Sequence, residues 1–234
     1  MFKIIASLLL VVISLFGNDK FSDKDMKNYV NLILEDKQKV YTTSELVKSL
    51  FGIQARDEFE TKNKYEDRVS KILGNGIFFV YKKIDKVEYN IDTKVMKFYT
   101  PLQGGNTWEN EKPNNELIKK GYTGVILELD FNNNAFPIVE KMKFAKNKYS
   151  YPYAYVSMTV NEAKTIKTQT NTFLQIIAVK VTPENILKRK TRDSHGTVNG
   201  KNYLDLWAEV PMKAIGTAII SLNPKKTIFA FGKN

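Results

Sequence analysis

The stretch 149–182, YSYPYAYVSMTVNEAKTIKTQTNTFLQIIAVKVT, carries the densest run of secondary-structure signals in the chain. Its first part has a tyrosine at every second position, and extended backbone places such residues on one face. We call this set the tyrosine row: Tyr149, Tyr151, Tyr153 and Tyr155. The opposite face is smaller and more apolar, with Ala154 and Val156 at its centre. The pattern predicts a strand with two chemically different faces.

A short helix and a second strand are predicted to follow. Thr159 and Glu162 have the Thr-x-x-Glu spacing of a capping box, in which each side chain accepts from a free amide at a helix start. A helix is therefore predicted to begin near Val160. Residues 171–181 then form a mostly apolar run, long enough for a strand buried on at least one side. Strand, short helix, strand is the predicted centre of the fold.

Three amphipathic helices are predicted before the strand-rich part of the chain. Residues 22–35 repeat apolar side chains at the spacing of one helix face. Thr42 and Glu45 form a second capping box, which introduces a helix of about two turns. A third helix is predicted over 61–73, with Gly74 in its stop signal.

The rest of the chain alternates apolar and polar residues as strands do. Residues 77–81, 87–91 and 95–99 are predicted to form a three-stranded meander. Further strands are predicted at 125–131, 138–144, 204–210, 217–222 and 227–231, with hairpins formed by the first two and by the last two. Residues 101–120 are predicted to be a mobile polar loop and 187–201 a basic loop. The predicted class is α+β: N-terminal helices, then a mostly antiparallel sheet with one short inserted helix.

The N-terminus has the composition of a secretory signal. One early lysine precedes an apolar run from 4 to 16 that is too short to span a bilayer comfortably. We predict a signal peptide over 1–17, a helical segment over 18–74 and a β-rich domain over 75–234, with 18–234 forming one folded unit. The predicted location is therefore the periplasm or the exterior. An uncleaved membrane anchor is the alternative.

The charge balance predicts attraction to anionic surfaces. The chain has 36 lysines and arginines against 25 acidic residues, a formal charge of +11. For an exported protein such surfaces are lipid headgroups, envelope polysaccharide, an acidic protein or extracellular nucleic acid. The alternative is that lysine serves only as the solubilising residue. The chain has no cysteine, which excludes disulfides, and with a single histidine it also lacks the usual zinc ligand sets.

Few residues are candidates for catalysis. Glu128 and Asp130 lie two apart on one strand, close to the arrangement that glycoside hydrolases use. In the predicted hairpin Lys143 and Lys141 would pair with them, and those cations favour the ionised form of both carboxylates over the protonated general acid. The single histidine, His195, follows Ser194 and Asp193, but consecutive side chains diverge and form no triad. No cofactor or metal site is predicted, and a hydrolase is the secondary hypothesis.

The tyrosine row is the most specific binding feature. Aromatic rings can stack on sugars or unpaired bases while nearby cations hold anionic groups. The predicted ligand-binding set therefore joins the row to the basic loop, through Lys188, Arg189, Lys190 and Arg192. The competing interpretation is that the tyrosines cover the sheet or pack beneath the helices. We predict a non-enzymatic binding or envelope-associated protein whose partner is an anionic envelope polymer or another envelope protein. The alternatives are a glycan-directed hydrolase that uses the carboxylate pair and a polyanion-binding module that uses the basic loop and the tyrosine row.

Several short motifs occur in a recognisable order. They are Phe59-Glu60-Thr61 with Tyr65 and Arg68, then Tyr89-Asn90-Ile91-Asp92, Asn134-Ala135-Phe136 and Glu162-Ala163. Together they resemble a broad group of uncharacterised exported bacterial proteins with an F-E-T-x-x-x-Y-x-x-R helix, a Y-D-A-D-like hairpin and an N-A-F-G segment. Pro137 replaces the last glycine, and the likeness spans roughly 59–164. The resemblance implies one extracytoplasmic domain and supplies no activity.

Overall fold

The computed structural model describes residues 21–99, 106–131, 153–168 and 173–232. The three N-terminal helices are α1 (Asp23–Leu34), α2 (Thr43–Phe51) and α3 (Lys62–Leu73). Strands and short helices follow, with the bounds β1 (Ile77–Lys83), β2 (Val87–Asn90), β3 (Val95–Tyr99), β4 (Asn106–Glu111), α4 (Asn115–Lys119), β5 (Gly124–Asp130), β6 (Tyr153–Ser157), α5 (Val160–Lys167), β7 (Phe173–Lys180), α6 (Pro183–Leu187), β8 (Lys190–Val198), β9 (Lys201–Pro211), β10 (Lys213–Leu222) and β11 (Lys225–Gly232).

The α+β class with N-terminal helices is confirmed. The capping boxes form as the sequence indicates, because Thr42 and Thr159 each accept from the amide of the glutamate three residues later. The predicted strand, helix and strand are β6, α5 and β7. In the parts of the chain that the structure describes, none of the helices is long and apolar enough to cross a membrane. The predicted signal peptide over 1–17 lies outside those parts.

The strands form three sheets. Sheet A has the order β1-β7-β10-β11, sheet B the order β2-β3-β6 and sheet C the order β4-β5-β9-β8. All neighbouring strands are antiparallel except β5 and β9, which are parallel. Sheet A is therefore centred on β7 and β10, and sheet C on β5 and β9.

Sheet A is covered on both faces, which explains the apolar run in β7. Ile177 and Val179 point into the main core, where side chains of α2, α3 and all three sheets meet. Ile176 and Ala178 point to the other face and pack in a second cluster with Met26 of α1. Because both faces of β7 are buried, its sequence is mostly apolar instead of alternating, with Gln175 as a buried polar exception.

The predicted meander of 77–99 is wrong. β1 pairs with β7 in sheet A, whereas β2 and β3 form a hairpin in sheet B. The physical reason lies in burial: Phe79 packs in the α1 cluster and Val80 in the main core, so β1 has two buried faces. Such a strand belongs beside β7, which is covered in the same way.

Both predicted loops contain regular structure. The predicted loop 101–120 holds β4 and α4, and the predicted basic loop 187–201 holds β8. β4 was not predicted because the side chains on its inner face form hydrogen bonds and not an apolar surface. The hydroxyl of Thr107 lies 3.0 Å from the hydroxyl of Thr43 in α2. β8 was missed because it is an edge strand without an apolar face. The predicted strand 138–144, with its pairing to β5, lies outside the described residues.

Candidate functional site

Tyr155, whose side chain is the described part of the tyrosine row, lies on the outer face of sheet B. Its side chain is 37% exposed, whereas its neighbour Ala154 is 1% exposed and belongs to the main core. In the register of β3 and β6, Lys97 lies directly opposite Tyr155. Tyr149 and Tyr151 lie outside the described residues, and of Tyr153 only the backbone is described. The outer face of sheet B therefore combines an aromatic ring with an adjacent cation.

An open cleft of 650 Å³ lies on this face, and we call it the tyrosine cleft. Helix α5 contributes Lys167 to its wall, so the cleft receives lysines from both a strand and a helix. Its lining residues are Glu88, Tyr89, Asn90, Thr93, Val95, Lys97, Tyr155 and Lys167. The short helix that the capping box indicated thus helps to shape the candidate site.

The electrostatics of the tyrosine cleft are dominated by lysine. Among the described residues that line it, Glu88 is the one carboxylate, and it pairs with Lys86 at 2.9 Å and Lys97 at 3.8 Å. A hydrogen bond from Tyr99, with the ammonium of Lys86, holds the pKa of Glu88 below its usual range. With Lys167 also at the cleft, its described lining residues include two lysines and one carboxylate.

The predicted basic residues have structural partners elsewhere. Arg189 donates to the carbonyls of Leu50 at 2.5 Å and Ile53 at 2.7 Å, and its guanidinium lies 5.4 Å from the ring of Phe51. These carbonyls belong to the end of α2 and the residues just after it, where helix carbonyls lack partners within the helix. Arg189 therefore caps the end of α2.

The other basic residues pair at or near β8. Lys188 pairs with Glu184 at 2.6 Å, and Lys190 pairs with Glu209 at 3.0 Å. Arg192 lies 4.4 Å from the ring centroid of Trp207. Lys188 follows the end of α6, and Lys190 and Arg192 belong to β8 at the edge of sheet C, whereas Tyr155 belongs to sheet B. The structure does not bring the two predicted halves of the site into one sheet.

The two candidate catalytic carboxylates lie on β5. Glu128 is 4% exposed and accepts a hydrogen bond from the indole Nε1 of Trp207. The parallel register of β5 and β9 places Glu209 beside Glu128, and Glu209 is 6% exposed. Asp130 is half-buried at the end of the same strand. Glu128 therefore holds a tryptophan side chain, and it is not a lining residue of either described cleft.

A second cleft, of 490 Å³, lies on the outer face of sheet C. We call it the tryptophan cleft because Trp108 and Trp207 both line it. Its other lining residues are Asn110, Glu111, Thr123, Gly124, Val125, Ile126 and Asp205. This site was not predicted from the sequence, because Trp108 fell in a predicted loop. The available signal was the alternation of Asp205, Trp207 and Glu209 on the polar face of a strand.

The remaining candidates are His195 and a metal site. His195 is exposed on β8 opposite Leu204 in β9. Across residues 21–99, 106–131, 153–168 and 173–232, histidine and carboxylate side chains form no group of three that could hold a metal ion. The arrangement supports binding by aromatic rings and charges. Comparison of the chain with protein-family models, curated proteins and solved structures gave no match.

Proposed function

We propose that the protein is an exported binding protein that holds an anionic envelope polymer at the tyrosine cleft. The observation that carries this proposal is the pairing of Tyr155 with Lys97 across β3 and β6, with Lys167 at the same cleft. Export is part of the proposal, and it rests on the apolar run near the N-terminus. The resemblance to exported bacterial proteins agrees with it.

Aromatic rings and lysines provide complementary contacts for such a ligand. An exposed ring offers a flat apolar surface for the faces of sugar rings or bases. Lysine ammonium groups attract phosphate or carboxylate groups along a polymer and displace its counterions. The formal charge of +11 adds long-range attraction, which raises the rate of encounter.

Fluorescence anisotropy with labelled polymers tests the proposal. The probes are poly(glycerol phosphate), polygalacturonate and single-stranded DNA, each titrated with the purified protein over a salt series. We expect one of the two envelope-type polymers to bind more tightly than DNA. Tyr155→Ser should weaken that binding about fivefold or more, since one stacked ring contributes about 1–3 kcal/mol. Lys97→Ala with Lys167→Ala should lower the salt slope by about 0.7–0.9 per lysine.

A charge-matched double variant provides the control. Lys27 and Lys71 are exposed on α1 and α3, so Lys27→Ala with Lys71→Ala removes the same charge away from the cleft. If both double variants lost the same amount of binding, net charge alone would explain the loss, and the result would contradict a binding site at the cleft. If the protein bound DNA more tightly than both envelope-type polymers, its ligand would be a nucleic acid and not an envelope polymer. Release of shorter fragments from polygalacturonate would favour the hydrolase hypothesis.

A further inference from the structure

The tryptophan cleft has the form of a trough along sheet C. Strand β5 runs along its middle and provides Gly124 and Ile126, with β4 and β9 on either side. Trp108 stands on β4 and Trp207 on β9, so the two indoles flank the trough. Because neighbouring strands lie about 4.8 Å apart, the two outer backbones are about 10 Å apart. Gly124 allows the carboxylate of Asp205 to lie close to β5, since an added Cβ would lie 2.7 Å from a carboxylate oxygen of Asp205.

The two indoles differ in how firmly they are held. Trp207 donates its Nε1 hydrogen to Glu128, and the guanidinium of Arg192 covers its ring at 4.4 Å. These two contacts fix the plane of the indole before any ligand arrives, which reduces the ordering cost of binding. Trp108 is 45% exposed, so a large apolar surface remains in water beside the trough. The cleft thus has a firmly held indole, Trp207, on one side and a solvent-exposed indole, Trp108, on the other.

The polar groups of the tryptophan cleft restrict the charge of its ligand. Its charged lining residues are Glu111 and Asp205, and the described residues that line it include no lysine or arginine. These carboxylates disfavour an anion. Both already interact with neighbouring side chains: Glu111 pairs with Lys48 at 2.5 Å, and Asp205 accepts from the hydroxyl of Thr123 at 2.9 Å. Among the described charges at the cleft, Lys48 offsets Glu111, and the guanidinium of Arg192 lies 4.4 Å from the ring of Trp207. This near balance favours an uncharged ligand with hydroxyl donors over a cation.

We propose that the tryptophan cleft binds an uncharged oligosaccharide. A pyranose ring has an apolar face of C–H groups that can lie on an indole, and its hydroxyl edge can donate to carboxylate and amide oxygens. Trp108 and Trp207 provide the rings, while Asp205 and Asn110 provide acceptors at the same trough. This site is separate from the tyrosine cleft in sheet B and takes a ligand of different chemistry. It therefore goes beyond the proposed function and does not depend on it.

Tryptophan fluorescence tests this inference directly. The chain has two tryptophans, and both line the cleft, so the emission reports on this site alone. The purified protein is titrated separately with chitohexaose, cellohexaose and mannohexaose. We expect a saturable change of intensity with a blue shift for at least one of them, since a bound sugar removes water from Trp108. The dissociation constant should be the same at low and high sodium chloride, unlike that of an anionic polymer.

Two variants separate the site from general effects. Trp108→Ala should weaken binding about tenfold or more, as truncation of a central aromatic contact does. Trp207 remains as the fluorescent reporter in that variant. Phe59→Ala is the control, because Phe59 is an exposed ring, 87% accessible, that is not part of the cleft. It should bind as the unaltered protein does.

Several outcomes would overturn the inference. One is the absence of a saturable change with all three hexasaccharides. Another is a response confined to a cationic probe, trilysine, which would assign the cleft to positively charged ligands. Unaltered affinity in Trp108→Ala, with the fold intact by circular dichroism, would also overturn it. A response that disappears at high salt would assign the signal to charge and not to a sugar site.

Discussion

Arg189 shows how a charged residue that looks available in the sequence is engaged in the fold. Its guanidinium donates to two backbone carbonyls at the end of α2, where lysine could not match the planar fork. We expect Arg189→Lys to lower the free energy of unfolding by about 1–2 kcal/mol, because hydrogen bonds from a charged group are lost while the charge is kept. Urea denaturation of both proteins measures the difference.

The neighbouring lysine is the control for this prediction. Lys188 is exposed and pairs only at the surface with Glu184, so Lys188→Ala should change stability by no more than about 0.5 kcal/mol. If Arg189→Lys instead left stability unchanged and weakened anionic polymer binding, Arg189 would be a ligand contact as the sequence suggested. The sequence shows that Arg189 is positively charged. Only the fold shows that the carbonyls of Leu50 and Ile53 accept its hydrogen bonds.

Strand β8 shows what limits prediction at the level of elements. Its sequence, KTRDSHGTV, has no apolar alternation, because it is an edge strand whose side chains are mostly exposed. The missed signal was Asn199-Gly200, a dipeptide typical of tight hairpins, between β8 and β9. Lys190 and Arg192 also protect the exposed edge from pairing with another chain. Charge on β8 therefore has a structural role at the edge of the sheet.

Gly200 provides a test of this hairpin. Asn199 and Gly200 have φ values of 51° and 75°, the left-handed region that both central residues of such a turn need. Gly200→Ala should destabilise the protein by about 1 kcal/mol, because a Cβ is disfavoured there. Thermal unfolding measures the effect. Asn199→Gly is the control, because glycine readily adopts the positive φ that the turn needs. If 187–201 were a loop, Gly200→Ala would instead leave stability equal or raise it by restricting the unfolded chain.

At the scale of the whole molecule, the sequence predicted the positions of helices and strands better than it predicted which strands pair with each other. Capping boxes and periodicity located α1, α2, α3, α5 and most apolar strands, since these signals are local. The division into three sheets depends on contacts between distant segments. The tryptophan cleft arises the same way, because Trp108 and Trp207 are brought together only by the pairing of β5 with both neighbours. Such a site cannot be predicted from spacing along the chain.

Glu109 joins three parts of the molecule and makes its stability depend on pH. From β4 it accepts hydrogen bonds from the first amides of α2, at Ser44 (3.0 Å) and Thr43 (3.3 Å), and pairs with Lys82 of β1 at 2.7 Å. Burial alone would raise the pKa of Glu109, but Lys82 and these amides together hold that pKa below its usual value. The carboxylate thus links sheet A, sheet C and a helix start in its ionised form.

Acid titration of stability tests this link. Because the pKa of Glu109 is lowered on folding, its contribution is present above the unfolded value of about 4.3 and is lost as the pH falls through the folded value. Glu109→Gln should therefore cost about 1–3 kcal/mol at neutral pH, and the difference from the unaltered protein should shrink in acid. Glu58→Gln, which removes an exposed carboxylate, controls for net charge. A cost for Glu109→Gln that stays constant from neutral pH into acid would show that shape, and not ionisation, holds the three parts together.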